Sequence, residues 1–312
     1  MARFHLAPSL ELAREFIDNN YVCLTVEAEY GAAVVEGERY TAAHHGPAGT
    51  KWAGRHIGGT RHSPCCDEEV PWLDAGEYAL VSHVDLDTFG GCLRAVPEFQ
   101  DLFAIERSAF WALAEWVDVR GPHRLAQSAA FEDDLRRLRA FWAWSKAEVP
   151  RHPRDAVTEV TAVVQQAGEA LRRILADDTE LLAAGEALRM AEAELNRRTF
   201  LGRRGPVVVR ESQAARDFCN HLYAAPNDGE VALAVCAYCE ETGAVTISLC
   251  EPVPGISCRE LVQELWGPEA GGHDGIAGSP RGLDVGAEGL ERAVRLVLDR
   301  LGWGPPTSPE VW

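Results

Sequence analysis

The sequence predicts an α/β fold in two domains: an N-terminal parallel-sheet α/β domain, a helical connector, and a smaller C-terminal mixed-sheet α/β domain. Three observations carry that expectation. The apolar run Ala79-Leu80-Val81 reads as the end of a buried strand, and it leads through a polar cluster into Gly90-Gly91, where a closely packed helix can start. Residues 125–200 are dominated by Ala, Leu, Glu and Arg at helical spacing. Beyond them, from Val207, short strand-like runs alternate with helical stretches. At 312 residues the chain is long enough for two cores. The expected boundaries are 1–124, 125–204 and 205–312.

Bulk properties narrow the function classes. Hydrophobic content of 46% and charged content of 25% are ordinary for a globular protein. A formal net charge of −18 argues against gripping duplex nucleic acid with a broad basic face. A small anionic substrate stays open, because a bound metal or local arginines can reverse the field inside a cleft. No apolar stretch approaches the roughly 20 residues that span a bilayer, and Met1-Ala2-Arg3-Phe4-His5 lacks a signal-peptide core. Nine cysteines without framework spacing read as reduced thiols in a cytoplasmic protein.

In order, residues 9–19 read as a short helix capped by Ser9, with Leu10, Leu12, Ala13, Phe16 and Ile17 on its apolar face. Tyr21 to Ala28 and Gly31 to Tyr40 read as two strands of a hairpin around Glu29-Tyr30-Gly31. The second strand ends near His44-His45-Gly46-Pro47, candidate metal ligands or phosphate contacts, with a solvated loop as the bland alternative. From Gly49 to Pro71 the composition is that of a long loop. Its His56, His62, Cys65 and Cys66 are a zinc possibility whose spacing matches no standard knuckle. Lys51, Arg55 and Arg61 would suit an anionic ligand.

The stretch Ser82-His83-Val84-Asp85-Leu86-Asp87 is the chemical centre of the reading. At alternate positions His83, Asp85 and Asp87 converge on one side of the strand end, and two carboxylates with an imidazole held that close call for a divalent cation. A polar turn with an ordinary helix cap is the alternative. Helices are expected from about Cys92 and from about Leu102 to Trp116. After them, Trp116-Val117-Asp118-Val119 followed by Gly121-Pro122-His123 places Asp118 and His123 beside a core element as further candidate ligands. Asp118 as a cap on the following turn is the competing reading.

The helical stretch 125–200 shows packing surface and no chemistry, and its apolar face could support a homodimer. Gly202 to Pro206 reads as a basic linker. Val207-Val208-Val209, Val231–Tyr238 and Ala244–Leu249 read as strands, the last two joined at Glu241-Thr242-Gly243. Gln213–Tyr223, Cys258–Trp266 and Leu290–Leu301 read as helices. Cys236 and Cys239 fall on opposite faces of a strand and do not make a redox motif. Between the last two helices lies Gly271-Gly272-His273-Asp274-Gly275-Ile276-Ala277-Gly278, followed by Arg281. Such a turn lets backbone N–H groups cradle an anion, with His273 and Arg281 as added donors.

Two of these segments together carry a resemblance. Ser82-His83-Val84-Asp85-Leu86-Asp87 resembles the first motif of the DHH phosphoesterase superfamily, His-x-Asp-x-Asp. Gly271-Gly272-His273 with Ile276-Ala277-Gly278 resembles the Gly-Gly-His-x-x-Ala-Ala-Gly signature of the DHH-associated C-terminal domain. The similarity covers about residues 75–303. It implies two domains flanking a cleft, and a manganese or similar divalent pair activating water against a phosphoester or phosphoanhydride. Within it, His83, Asp85 and Asp87 match first-motif ligands, and Gly271, Gly272 and His273 match the substrate loop. The chain departs from the pattern where an Asp-His-His triplet should follow. Its adjacent pair His44-His45 precedes the first motif and has Ala43 where the aspartate would stand.

The expected function is therefore a divalent-metal-dependent phosphoesterase, with Mn²⁺, Mg²⁺ or Fe²⁺, acting on a small phosphorylated metabolite or short nucleotide. His83, Asp85 and Asp87 are its expected catalytic residues, and Gly271, Gly272, His273 and Arg281 its substrate contacts. His44, His45, His83, Asp85, Asp87, Asp118 and His123 make up the expected ligand set. The alternatives are a metalloenzyme of specialised metabolism with other chemistry, and a nucleotide-binding module without catalysis. A membrane or duplex nucleic acid is not an expected partner.

Overall fold

The computed structural model describes the chain outside residues 1, 31–32, 44–56, 59–62, 121, 123–124, 126–127, 129, 154, 216, 218, 227–229, 273, 281–282 and 304–312. The chain forms two compact units, Met1–Arg189 and Met190–Trp312. Among the described residues no helix is long and apolar enough to cross a membrane.

In the first unit the strands are β1 (Arg3–Leu6), β2 (Val22–Val26), β3 (Glu29–Tyr30), β4 (Ala33–Val34), β5 (Tyr40–Ala42), β6 (Ile57–Gly58), β7 (Tyr78–Val81) and β8 (Thr158–Glu159). Its helices are α1 (Leu10–Asn19), α2 (Leu86–Arg94), α3 (Ser108–Arg120), α4 (Glu132–Glu148), α5 (Thr161–Leu175) and most of α6 (Thr179–Thr199). The sheet runs in the order β6-β5-β2-β7-β1-β8. All its pairings are parallel except that of the edge strand β8 with β1.

Every residue of β2 is buried, as the apolar run Val-Cys-Leu-Thr-Val requires of a central parallel strand covered on both faces. On one face Phe4, Leu24, Val26 and Val81 pack against Phe89 of α2, Trp111 of α3, Phe141 of α4 and Leu171 of α5. On the other, Val22 and Leu80 pack against Ala13 of α1. Full burial of each large side chain stabilises the fold by about 1.5–3 kcal/mol.

The second unit holds β9 (Phe200–Arg204), β10 (Val207–Ser212), β11 (Ala234–Cys239), β12 (Ala244–Leu249), β13 (Gly271–Gly272) and β14 (Ile276–Gly278), with α7 (Cys258–Trp266) and α8 (Gly286–Arg300). Its order is β13-β14-β12-β11-β10-β9, a mixed sheet in which β10 and β11 alone run parallel among the described pairings. Helices α7 and α8 bury one face through Leu261, Val262, Ala293 and Val294. On the other face Cys219, Tyr223 and Ala232 meet Val208 and Val235.

Several elements differ from the sequence reading. Residues 21–40 do not form one hairpin. β2 pairs in parallel with β5, and only β3 and β4 turn back on each other, because the buried apolar run belongs in the sheet centre. α2 starts at Leu86, not near Cys92, since Asp85 caps it through the Thr88 N–H. The helix expected over 102–116 begins at Ser108 after two short 3₁₀ turns, Pro97–Phe103 and Ile105–Arg107, and it carries Asp118. The supposed linker at 202–206 belongs to β9 and its turn, antiparallel to β10. Residues 213–223 form turns instead of a helix among the described positions. The stretch read as a connector is divided: Leu138, Phe141, Leu171 and Leu182 enter the first core, while Asn196 and Thr199 bond to Arg210 in the second unit.

Candidate metal centre

The cluster forms at the carboxyl end of the parallel strands, where α/β sheets characteristically place their ligands. Glu27 directly follows β2, Ser82-His83 directly follows β7, and α2 is capped by Asp85 and carries Asp87 in its first turn. Glu27 is 1% exposed. Its backbone is left-handed, with φ of +48°, a conformation a glutamate holds only when its surroundings dictate it. The Glu27 N–H donates to the Ala42 carbonyl at 2.8 Å, and the Ser82 hydroxyl donates to the Glu27 carbonyl. The Thr88 hydroxyl donates to Glu27 Oε2 at 2.9 Å, fixing the carboxylate.

Two ligand groups share that glutamate. In one, Glu27 joins His83 and Asp85; in the other it joins the buried Asp87 and the half-buried Asp118, each with donor atoms within 4.8 Å of one another. His83 Nε2 lies 3.0 Å from Glu27 Oε2 and 3.3 Å from Asp85 Oδ2. Its Nδ1 lies 2.8 Å from Ser82 Oγ. Because that hydroxyl already donates to the Glu27 carbonyl, its lone pair accepts from Nδ1–H and turns Nε2 toward the carboxylates. Asp85 does two jobs: Oδ1 caps α2 at 2.9 Å from the Thr88 nitrogen, and Oδ2 faces His83.

Asp87 Oδ1 accepts from the Cys65 N–H at 2.9 Å, and Asp118 Oδ2 accepts from the Ser63 hydroxyl at 2.7 Å. The segment 63–66 is therefore the floor of the second group. Arg94 Nε pins it by donating to the Cys65 carbonyl at 2.6 Å. Gly90 and Gly91 let it come so close. A Cβ at Gly90 would meet Cys65 Cβ at 2.3 Å, and one at Gly91 would meet Pro64 Cβ at 2.7 Å.

The electrostatics follow from this crowding. Burial raises the Asp87 carboxyl well above its ordinary range, and Glu27 and Asp118 raise it further, against the opposing pull of the Cys65 N–H. Burial alone would lower His83, but its hydrogen bonds to Asp85 and Glu27 overrule that and hold it up to about 10. Protons here stand where a cation would. Four carboxylates and an imidazole are hard oxygen and borderline nitrogen donors, suited to Mg²⁺, Mn²⁺, Fe²⁺ or Zn²⁺. The group can hold a metal ion.

Of the sequence-predicted residues, the structure gathers His83, Asp85, Asp87 and Asp118, but not in the expected way. β7 stops at Val81 and Asp85 is a helix cap, so strand alternation does not align the three motif residues. His83 and Asp85 fall in one group and Asp87 in the other. Asp118 projects from within α3 and is not a cap on the following turn. Glu27 was missed, hidden inside a stretch read as a hairpin strand; an acid directly after the mostly apolar run Val22–Val26 was its only signal. Cys65 is wholly buried, its sulfur 3.7 Å from that of Cys66, whose thiol donates to the Trp111 carbonyl. Gly271 and Gly272 form β13, where Gly272 takes φ of +148° and its carbonyl accepts from Arg259 Nε at 2.8 Å. His44, His45, His56, His62, His123, His273, Arg281, Lys51, Arg55 and Arg61 lie outside the described residues.

No protein-family model matches the chain, and no curated protein matches it.

Proposed function

We propose that the first unit is a divalent-metal-dependent hydrolase acting on a phosphoester or phosphoanhydride of a small metabolite or short nucleotide. The observation that carries the reading is the single buried carboxylate, Glu27, common to two ligand groups at the carboxyl end of a parallel sheet. Glu27, His83 and Asp85 would hold one ion, and Glu27, Asp87 and Asp118 a second. When bound, such ions lower the pKa of a coordinated water and neutralise charge on phosphate oxygens. The chain's own residues supply position. Thr88 locks the Glu27 carboxylate, Ser82 fixes the His83 tautomer, and the Cys65 N–H orients Asp87. The Gly271-Gly272-His273 loop, with Arg281, remains the proposed substrate contact on the strength of the sequence resemblance alone.

The test begins with elemental analysis of protein purified without chelator or added metal. Release of phosphate or mononucleotide is then followed across a panel of phosphorylated metabolites and short oligonucleotides. Manganese or a similar ion should be present and some substrate turned over, with Glu27→Gln, Asp85→Ala and Asp87→Ala losing both metal and activity. Retention of both by these variants would overturn the reading. A ligand set built on Glu27, in a sequence without an Asp-His-His triplet, also favours a second reading: the same fold carrying other metal chemistry. Bound iron without phosphate release would point there.

A further inference from the structure

The second unit carries a pocket that the metal chemistry does not use. It lies over the β10–β11–β12 sheet beside Ala215, Cys219 and Asn220, with a volume of about 170 Å³. That is far more than the roughly 10–15 Å³ that admits one water. Among the described residues, none that lines it carries a formal charge at neutral pH, in a chain where a quarter of the residues are charged. The walls are small: Ala215, Ala237 and Ala244 leave room, and Ser212, Thr242 and Thr246 offer hydroxyls.

Asn220 is the informative wall. It is 2% exposed, yet neither its amide nitrogen nor its amide oxygen has a hydrogen-bond partner. A buried amide with two unmet bonds is costly and uncommon. Nor is it a loose side chain on a loose loop. The Ser248 hydroxyl donates to the Asn220 carbonyl, and Tyr223 Oη donates to the Leu249 carbonyl at 3.0 Å. Arg210, wholly buried, clasps the same segment by donating to the Leu222 and Ala224 carbonyls at 2.7 and 2.8 Å. The backbone is thus anchored at Asn220 and just beyond it while its side chain waits unsatisfied.

An asparagine amide presents one donor and one acceptor in a plane. Its complement is a planar group with an adjacent acceptor and donor, as on the edge of a nucleobase. The described lining offers amide and hydroxyl groups and no charged partner, which suits a neutral ring edge. We propose that this pocket binds the heterocyclic base of a nucleoside, read by the Asn220 amide.

The site needs no metal, so it is tested by calorimetry on the full-length protein in excess EDTA. Failure here would leave the hydrolase reading untouched. Adenosine, guanosine, cytidine and uridine are titrated separately, with ribose as control. At least one nucleoside should bind with Kd of about 1 mM or tighter and ribose should not. Asn220→Ala should weaken binding at least about tenfold. Should that variant fail to fold, Ala244→Leu, which fills the pocket from the sheet side, should do the same. Binding that survives both variants, equal binding of ribose, or no binding of any nucleoside at millimolar concentration would overturn the proposal.

Discussion

At the scale of single residues, the cluster in the first unit is a set of charges whose sign of contribution depends on whether an ion is present. Without metal, Asp87 sits ionised beside Glu27 and Asp118 only at a cost. Asp87→Asn should therefore raise metal-free stability, since it removes the repulsion that displaces this carboxyl upward. The amide oxygen can still accept from the Cys65 N–H. With saturating Mn²⁺ the order should reverse, wild type gaining stability and the variant little; denaturant midpoints with and without metal check the crossing. The pH dependence follows in the same terms. His83 is held up to about 10, so its ion pairs contribute fully below its ordinary value of 6.5 and are lost as pH rises through 10. Asp87, displaced upward, also makes the protein less stable as pH rises through its raised pKa. Metal-free protein should be less stable at pH 9 than at pH 6, and His83→Gln should flatten the slope above 6.5. Ser82→Ala leaves every ligand in place but frees the His83 tautomer, and should weaken Mn²⁺ binding about 10–100-fold in a metal titration.

At the scale of elements, the site depends on how closely α2 can approach the segment 63–66. Alanine is the better helix former, by about 1 kcal/mol over glycine. Overpacking costs about 1–3 kcal/mol, and a Cβ at Gly90 would sit 2.8 Å from the Cys65 backbone as well as 2.3 Å from its side chain. The clash wins. Gly90→Ala should destabilise the protein despite its propensity and displace the Cys65 N–H from Asp87, weakening Mn²⁺ binding alongside stability. What was legible in the sequence tracks this distinction between local and distant causes. Ser9 capping α1, the span of α7 and the span of β12 were readable because cap chemistry and periodicity are local. The motif His83-Val84-Asp85-Leu86-Asp87 was readable because its residue types are concentrated. Glu27 was not, since its meaning comes from the parallel pairing of β2 with both β5 and β7, which no local pattern announces. Asp118 was a candidate for the wrong reason, a polar residue in an apolar run, when its place follows from the packing of α3 beside Pro64–Cys66.

At the scale of the whole molecule, each hydrophobic cluster lies within a single unit: two build Met1–Arg189 and two build Met190–Trp312. With two clusters of its own, each unit holds a core that can melt cooperatively by itself. Calorimetry should then resolve two transitions, and the two halves of the chain label them. Mn²⁺ at 100 times its Kd stabilises the unit that binds it by about 2.7 kcal/mol. In a unit of this size each kcal/mol shifts Tm by about 2–4 °C. One transition should therefore move up by about 5–11 °C with Mn²⁺ and the other stay put. Arg210→Ala should act on the second alone. It strips partners from the carbonyls of Asn196, Leu222 and Ala224, each an acceptor left buried at about 1–3 kcal/mol. That loss, about 3 kcal/mol at the least, is a large fraction of a small domain's stability. The Arg210→Ala protein should accordingly melt its second unit far below the first while still binding Mn²⁺ with wild-type affinity. A single transition that moves as one under both perturbations would mean that the cores are coupled.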